Sequence, residues 1–368
     1  MRILLVGGGS GGPVSPLLAV AEKIKLTHSQ AKFLLVGTKT GPEKGMAENY
    51  RIPFLAIHSG KLRRYFSWQN FLSPVFIIAG FFQSIKIIKD FKPDCVFGAG
   101  SFVQVPMVWA AWFLRVPVVI HQQDVFPSLA NKLCQLAASK ITVTFSSSLS
   151  AFASNLGFFY KKKQDKVVLT GNPFRQELDQ GLKLQALKEF NLKPDMPTLL
   201  VLGGGTGAEF FTKLMSEAMP ILGKTAQVIH STGKGKMPKE NFENYYKTEF
   251  LNSGQLANAY AAADIVLSRA GLATITELSF LEKLSIIVPM PQSHQEINGA
   301  YLLGKEAAIV LPQEKINARN FTNLIRKLIF DVEAQKFFQK NMGKLMPKEG
   351  AKKIAEIIIK IAETNNAD

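Results

Sequence analysis

Short apolar runs recur along this chain of 368 residues, and the gaps between them leave room for helices. Runs at 3–6, 33–36, 95–97, 118–120, 141–144 and 167–169 fill the first half, and runs at 199–202, 227–230, 265–267 and 286–288 the second. Most are continuous Val, Ile, Leu and Phe rather than alternating, the pattern of strands buried on both faces of a parallel sheet. Helix-period patterns fall between them, at 14–26, 76–89, 208–222, 256–263 and 273–281. The predicted class is α/β, with parallel sheets joined by crossover helices.

Two of the runs turn directly into glycine-rich loops. Gly7-Gly8-Gly9-Ser10-Gly11-Gly12 follows the first, and Gly203-Gly204-Gly205-Thr206-Gly207 follows the run at 199–202. A strand that turns through glycines into a helix leaves N–H groups unpaired at the positive end of the helix dipole, where a phosphate can dock. The length suits about two domains. Gly171-Asn172-Pro173 interrupts the pattern midway and is followed by a polar, helix-like stretch over 175–190. The reading is therefore two Rossmann-like domains, 1–170 and 171–345, with parallel sheets facing a central cleft, and a C-terminal helix in 346–368 that packs back on the first domain. Gly7-x-Gly9-x-x-Gly12 also fits a dinucleotide fingerprint, but the second strand runs into Gly37-Thr38-Lys39 with no carboxylate for a ribose, which argues against a dehydrogenase. Neither loop ends in Gly-Lys-Ser/Thr, so a P-loop kinase is disfavoured too.

Composition is that of an ordinary globular protein, 47% hydrophobic and 20% charged. Cys95 and Cys134 sit in apolar runs and read as buried thiols in a reducing compartment. The five histidines show no metal-ligand spacing and no Asp-x-Asp occurs, so neither a metal nor another cofactor is expected. Met1 lies next to the first strand, leaving no room for a signal peptide, and the expected compartment is the cytosol.

The net charge of +16 changes the picture. Between 61 and 92 stand Lys61, Arg63, Arg64, Lys86, Lys89 and Lys92 against Asp90 alone, interleaved with Trp68, Phe76, Phe81, Phe82 and other apolar residues. The uncharged stretch 67–85 is broken by Gln69, Asn70, Ser73, Pro74, Gln83 and Ser84, so it reads as an interfacial helix rather than a span, with a helix buried in the core as the alternative. Arg63, Arg64, Trp68, Phe76, Phe81, Phe82 and Lys86 are the expected contacts with an anionic membrane leaflet. No RNP, KH or helix-turn-helix signature accompanies the charge, so nucleic acid is not the expected partner.

In order along the chain, Gly8-Gly9-Ser10-Gly11-Gly12 with Pro16, Lys92-Pro93-Asp94 before Gly98-Ala99-Gly100-Ser101-Phe102-Val103, His121-Gln122-Gln123-Asp124 and Gly171-Asn172-Pro173-Phe174-Arg175 resemble motifs of the MurG glycosyltransferases. So do Gly203 to Ala208, His230-Ser231-Thr232-Gly233-Lys234-Gly235, Arg269 to Glu277 and His294-Gln295-Glu296-Ile297-Asn298. The resemblance implies a GT-B fold. It also implies inverting transfer of N-acetylglucosamine from UDP-GlcNAc to the muramyl sugar of undecaprenyl-pyrophosphoryl lipid I, forming lipid II at the cytoplasmic face of the cell membrane. Donor contacts carried over by the motifs are Ser10, Gly11, Gly12, Asp124, Arg175, Gly205, Thr206, Leu251, Arg269, Leu272, Ala273, Thr274, Glu277 and Gln295. Acceptor contacts are Gly11, Gly12, Gly100, Ser101, Phe102 and Gln104.

The chemistry of these residues agrees. A departing nucleotide diphosphate needs its charge stabilised, and without Asp-x-Asp that falls to glycine loops, helix termini, Arg175 and Arg269. Glu277 suits a bidentate grip on a ribose diol, and the Gln295 amide offers donor and acceptor to sugar hydroxyls. Three departures stand out. Pro13 replaces the family histidine after the first loop, His-Glu-Gln-Asn becomes His121-Gln122-Gln123-Asp124, and Gly205 replaces a serine. Proline cannot accept a proton, so Asp124 and His121 become the candidates for the base. Two other readings remain, a catalytically weak relative that binds lipid or nucleotide as a scaffold, and a UDP-GlcNAc epimerase of the same fold.

Overall fold

Arg2–Val6 (β1) is an inner strand of the first sheet in the computed structural model, which describes residues 1–60, 68–156, 164–174, 176–204 and 208–367. On one side of β1 lie Lys32–Gly37 (β2) and Phe54–Ala56 (β3). On the other lie Cys95–Gly98 (β4), Val118–Gln122 (β5), Lys140–Val143 (β6) and Val167–Leu169 (β7). All seven strands are parallel. The continuous apolar runs are explained by what covers them. Leu4 and Val6 face a core shared with Val96, Ile120 and the Gln104–Phe113 helix. Ile3 and Leu5 face the opposite core, built with Phe97, the Val14–Thr27 helix and Ile354 and Ile358 of the Gly350–Ala367 helix. Each such fully buried aliphatic side chain contributes about 1.5–3 kcal/mol.

The second sheet repeats the plan with Thr198–Leu202 (β8), Gln227–Ser231 (β9), Tyr245–Thr248 (β10), Ile265–Ser268 (β11), Ser285–Ile287 (β12) and Ile309–Val310 (β13), in the order β10-β9-β8-β11-β12-β13. It is parallel throughout. The chain divides into two compact units, residues 1–174 with 346–368 and residues 175–345. The architecture is two Rossmann-like units with parallel sheets. Three short edge strands, β3, β10 and β13, are absent from the sequence expectation.

The stretch 175–190 also differs from a single helix. Gln176–Gln180 is a short 3₁₀ segment and Lys183–Glu189 a separate α-helix. The break falls at Gly181, where the Ala257 carbonyl approaches so closely that a Cβ would collide with it, and Leu182 donates its N–H to Asn258 Oδ1 at 3.0 Å.

Strand order reverses between β1 and β4 in one sheet and between β8 and β11 in the other. Such switch points are where ligands enter open α/β sheets, outside the carboxyl ends of the strands. Val6 is level with Gly98, and Leu202 with Ser268, so each pair of loops leaves its sheet at the same height. The first glycine-rich loop, and Gly203 and Gly204 at the start of the second, sit at these points. Among the described residues, no helix is long and apolar enough to cross a membrane.

Candidate functional site

The first switch point is built from the loops after β1 and β4. Gly9 turns with φ +84°, and the Phe102 ring packs so near it that a Cβ would lie 2.7 Å from Cε1. The Ser101 hydroxyl donates to the Gly8 carbonyl at 2.8 Å. Beyond this joint, Ser10 and Gly12 are exposed and Gly11 is half-buried. The N–H groups of Val14 and Ser15 donate to the Gly11 carbonyl, and Pro13 stands at the N-cap with φ −68°, where a missing N–H costs nothing. The free face of the loop therefore belongs to Ser10, Gly11 and Gly12.

Several acceptor candidates turn inward instead. Gln104 is fully buried, with Oε1 accepting the Gly100 N–H at 2.9 Å and Nε2 donating to Asn131 Oδ1 at 2.5 Å. Asn131 Nδ2 donates to Gln122 Oε1 at 2.6 Å and to the His121 carbonyl at 3.1 Å. Gln122 Nε2 donates to the carbonyls of Asp124 and Phe126, each at 2.8 Å, and its Oε1 also accepts the Ser128 N–H at 3.2 Å. A carboxylate at position 122 could not make the two donations to carbonyls. Gln104, Asn131 and Gln122 thus fix the loops after β4 and β5, while Gly100 and Phe102 remain half-buried.

His121 lies inside the sheet with no exposure. Its Nδ1 is 3.0 Å from Thr142 Oγ1 and its Nε2 2.9 Å from Asn172 Oδ1. Burial lowers its pKa from 6.5 to about 4, so the ring is neutral at pH 7. The enclosed ring has both nitrogens engaged and no open path to an acceptor hydroxyl, which makes it a support for the loop that follows. Asp124, three residues on, is half-buried. Of the two base candidates only Asp124 presents surface.

At the second switch point, Gly271 caps the Leu272–Phe280 helix with φ −74° and ψ 136° and no side-chain cap. Its first-turn N–H groups, on Leu272, Ala273 and Thr274, are those an anion would meet. Ala273 is exposed and Thr274 half-buried, whereas Leu272 is buried. Glu277 is 7% exposed, and its Oε2 accepts the Tyr260 hydroxyl at 2.8 Å. Gln295 is half-buried with Oε1 on the Met290 N–H at 3.0 Å, and Leu251 is buried.

Arg269 is committed to the protein. Its guanidinium donates to the carbonyls of Val288 and Pro289 and to Gln313 Oε1, and lies 4.9 Å from the Phe211 ring centroid. Burial lowers its pKa. Arg175, Gly205 and Thr206 lie outside the described residues.

The Trp68–Phe91 helix carries the expected membrane contacts. Phe82 is exposed, with Val75, Ile78 and Lys86 exposed along the same helix face, and Phe76 is exposed at its margin, stacked on His58 with ring centroids 6.2 Å apart. Phe81 is turned the other way, packing on the core and meeting the Phe113 ring at 6.2 Å. Neighbouring helix positions are about 100° apart, which lets Phe81 pack on the core while Phe82 stays exposed. Trp112 and Phe113 of the Gln104–Phe113 helix, not anticipated from sequence, are also exposed apolar side chains. Arg63, Arg64 and the Trp68 side chain lie outside the described residues.

Both cysteines are buried and raised to about 12, which makes them inert. Among the described residues, no cluster of His, Cys, Asp or Glu could hold a metal. Sequence reasoning missed Glu43, Asn131 and Tyr260. Their links to the site, Glu43 to Gly9, Asn131 to Gln122 and Tyr260 to Glu277, join residues 9 to 34 positions apart, which no local motif marks.

Comparison with known proteins agrees with this architecture. The glycosyltransferase family 28 N-terminal domain matches residues 3–143 and the glycosyltransferase family 28 C-terminal domain residues 198–358. A UDP-N-acetylglucosamine--N-acetylmuramyl-(pentapeptide) pyrophosphoryl-undecaprenol N-acetylglucosamine transferase from Clostridium botulinum is 35% identical over 365 residues, covering 98% of this chain and 99% of the relative. Among solved structures, Acinetobacter baumannii MurG superposes with a TM-score of 0.72 at 21% identity, covering 98% of this chain and 99% of the other. The UDP-GlcNAc 2-epimerase from Neisseria meningitidis bound to UDP-GlcNAc superposes with a TM-score of 0.70 at 15% identity, covering 98% and 100%. The structural likenesses speak for a shared GT-B fold alone. The near-full-length sequence identity is what goes further, and it places this chain in the MurG family of glycosyltransferases.

Proposed function

We propose that the protein transfers N-acetylglucosamine from UDP-GlcNAc to the muramyl sugar of lipid I, with inversion at the anomeric carbon. The observation that carries this reading is 35% identity over 365 residues to a relative named for that transfer. In this reading the second unit holds the donor. Glu277, oriented by Tyr260, grips the ribose, Gln295 meets sugar hydroxyls, and the N–H groups of Leu272, Ala273 and Thr274 receive the pyrophosphate, with Arg175, Gly205 and Thr206 completing the set. The first unit receives the acceptor at Ser10, Gly11, Gly12, Gly100 and Phe102.

As the acceptor hydroxyl attacks the anomeric carbon, the bond to UDP breaks and its electron pair stays on the pyrophosphate. The hydroxyl proton passes to Asp124, and Pro13 takes no part in that step. His121, Gln122 and Gln104 hold the Asp124 loop in place. The exposed apolar side chains Val75, Phe76, Ile78 and Phe82 of the Trp68–Phe91 helix, with Lys86 among them, dock on the anionic cytoplasmic leaflet as a peripheral contact and bring the chain to its lipid-borne acceptor.

Incubation with radiolabelled UDP-GlcNAc and a short-chain lipid I analogue tests the reading. Label entering the lipid, with UDP released only when the analogue is present, supports it. Isomerised sugar nucleotide or free ManNAc formed without lipid would assign an epimerase instead.

A further inference from the structure

A carboxylate does stand at the end of β2, although none occurs at 37–39, where the strand ends. Glu43, the first residue of the Glu43–Asn49 helix, doubles back beneath the first glycine-rich loop and is fully buried. Its Oε1 accepts the Gly9 N–H at 3.2 Å, the Thr38 N–H at 2.6 Å and the Thr38 hydroxyl. Thr38 Oγ1 accepts the Gly41 N–H at 3.1 Å in turn. Oε2 is buried without a hydrogen-bond partner, so the donors on Oε1 alone anchor the group. The cradle is shaped to it, because a Cβ added at Gly8, Gly37 or Gly41 would fall on the Glu43 side chain.

This geometry departs from a dinucleotide site. There an acid at the second strand reaches outward to a ribose. Here it is sealed from solvent and spends its oxygen on main-chain donors. The Gly9 N–H it holds belongs to the residue with φ +84°, the pivot from which Ser10, Gly11 and Gly12 depart. We infer that Glu43 is a positioning residue for the transfer, clamping Gly9 to the end of β2 and so fixing the direction in which the Ser10–Gly12 loop presents its N–H groups to the acceptor. The inference rests on the acceptor reading of the first unit given above.

The physical ground is the cost of leaving a buried donor without an acceptor. With the carboxylate gone, the Thr38 and Gly9 donors must find water or another acceptor, and the loop gains freedom. A role confined to fold stability would act differently. It would lower the fraction of active protein, and with it kcat, without changing the KM for the acceptor.

The test compares full-length Glu43→Ala, Glu43→Asp and Glu43→Gln with the wild type. Readouts are transfer kinetics on the short-chain lipid I analogue, calorimetry with UDP, and hydrogen exchange of the segment 7–14. Glu43→Asp, one methylene shorter, serves where Glu43→Ala does not fold. For Ala or Asp the expected result is an acceptor KM raised about tenfold or more, UDP affinity within about twofold, and faster exchange in 7–14 but not in β4. Glu43→Gln keeps an acceptor oxygen and restores KM to within about threefold. Unchanged exchange in 7–14, or a fall in kcat at constant KM, overturns the inference. If the wild type itself transfers no sugar, the functional reading fails, while exchange at 7–14 still decides whether Glu43 clamps the loop.

Discussion

Nε2 of His121 lies 2.9 Å from Oδ1 of Asn172, tying the end of β5 to the Gly171-Asn172-Pro173 segment that follows β7. With Nδ1 beside Thr142, the ring links three parts of the first unit, and it does so as a neutral, buried group. Its pKa is lowered from 6.5 to about 4, so as pH falls the unfolded chain binds the proton first. The stability associated with the neutral ring is complete above pH 6.5 and is lost progressively toward pH 4, by about 3 kcal/mol. His121→Gln is expected to flatten the stability curve by about that amount over this window in denaturant titrations at stepped pH. An identical curve for the variant would remove His121 as its source.

Loss of the Glu277 carboxylate is expected to weaken UDP binding by about 1–3 kcal/mol, the scale of charge-assisted hydrogen bonds to a ribose diol. Tyr260→Phe, which removes only the hydroxyl at 2.8 Å, should cost less. Calorimetry with UDP measures both, and unchanged affinity in Glu277→Ala would take Glu277 out of the donor site.

Replacing Phe76, Ile78 and Phe82 together with serine should cut binding to anionic vesicles about tenfold or more and leave UDP affinity intact. These side chains are 42%, 58% and 64% exposed, so the fold loses little packing. Raised salt should weaken wild-type attachment by screening Lys86 and its neighbours. Sedimentation that ignores both the substitution and the salt would place the docking surface elsewhere. Phe81→Ser, by contrast, should lower thermal stability, because that ring packs on the core.

Asp124→Asn keeps the shape of the loop and removes the proton acceptor. A fall of about 10²-fold in transfer with UDP affinity preserved is expected. Full turnover in the variant would reduce Asp124 to a sugar contact.

The parallel strands were legible because central strands are apolar on both faces, as Ile3, Leu4, Leu5 and Val6 are. The edge strands β3, β10 and β13 were not, although β7 at the other edge of the first sheet was. Tyr245–Thr248 is half-buried at every position and Ile309–Val310 has only two residues, so neither makes a run that stands out. Both glycine loops announced themselves through local chemistry, whereas their supports did not. Glu43 is 34 positions from Gly9 and hides behind a turn at Gly41, and a search for an acid at 37–39 passes over it. Gln104 and Ser101 carried the right motif, yet their side chains serve the loops themselves. Residue type identified the region, and only packing could say which face each side chain takes.

The central claim is sugar transfer with inversion onto a lipid-borne acceptor, and the anomeric configuration of the product tests it most directly. Proton NMR of the disaccharide released by mild acid from the short-chain lipid product should show N-acetylglucosamine joined to the muramyl sugar in the β configuration, formed from the α-linked donor. An α linkage, or a reaction that yields only epimerised sugar nucleotide with the acceptor untouched, would contradict it.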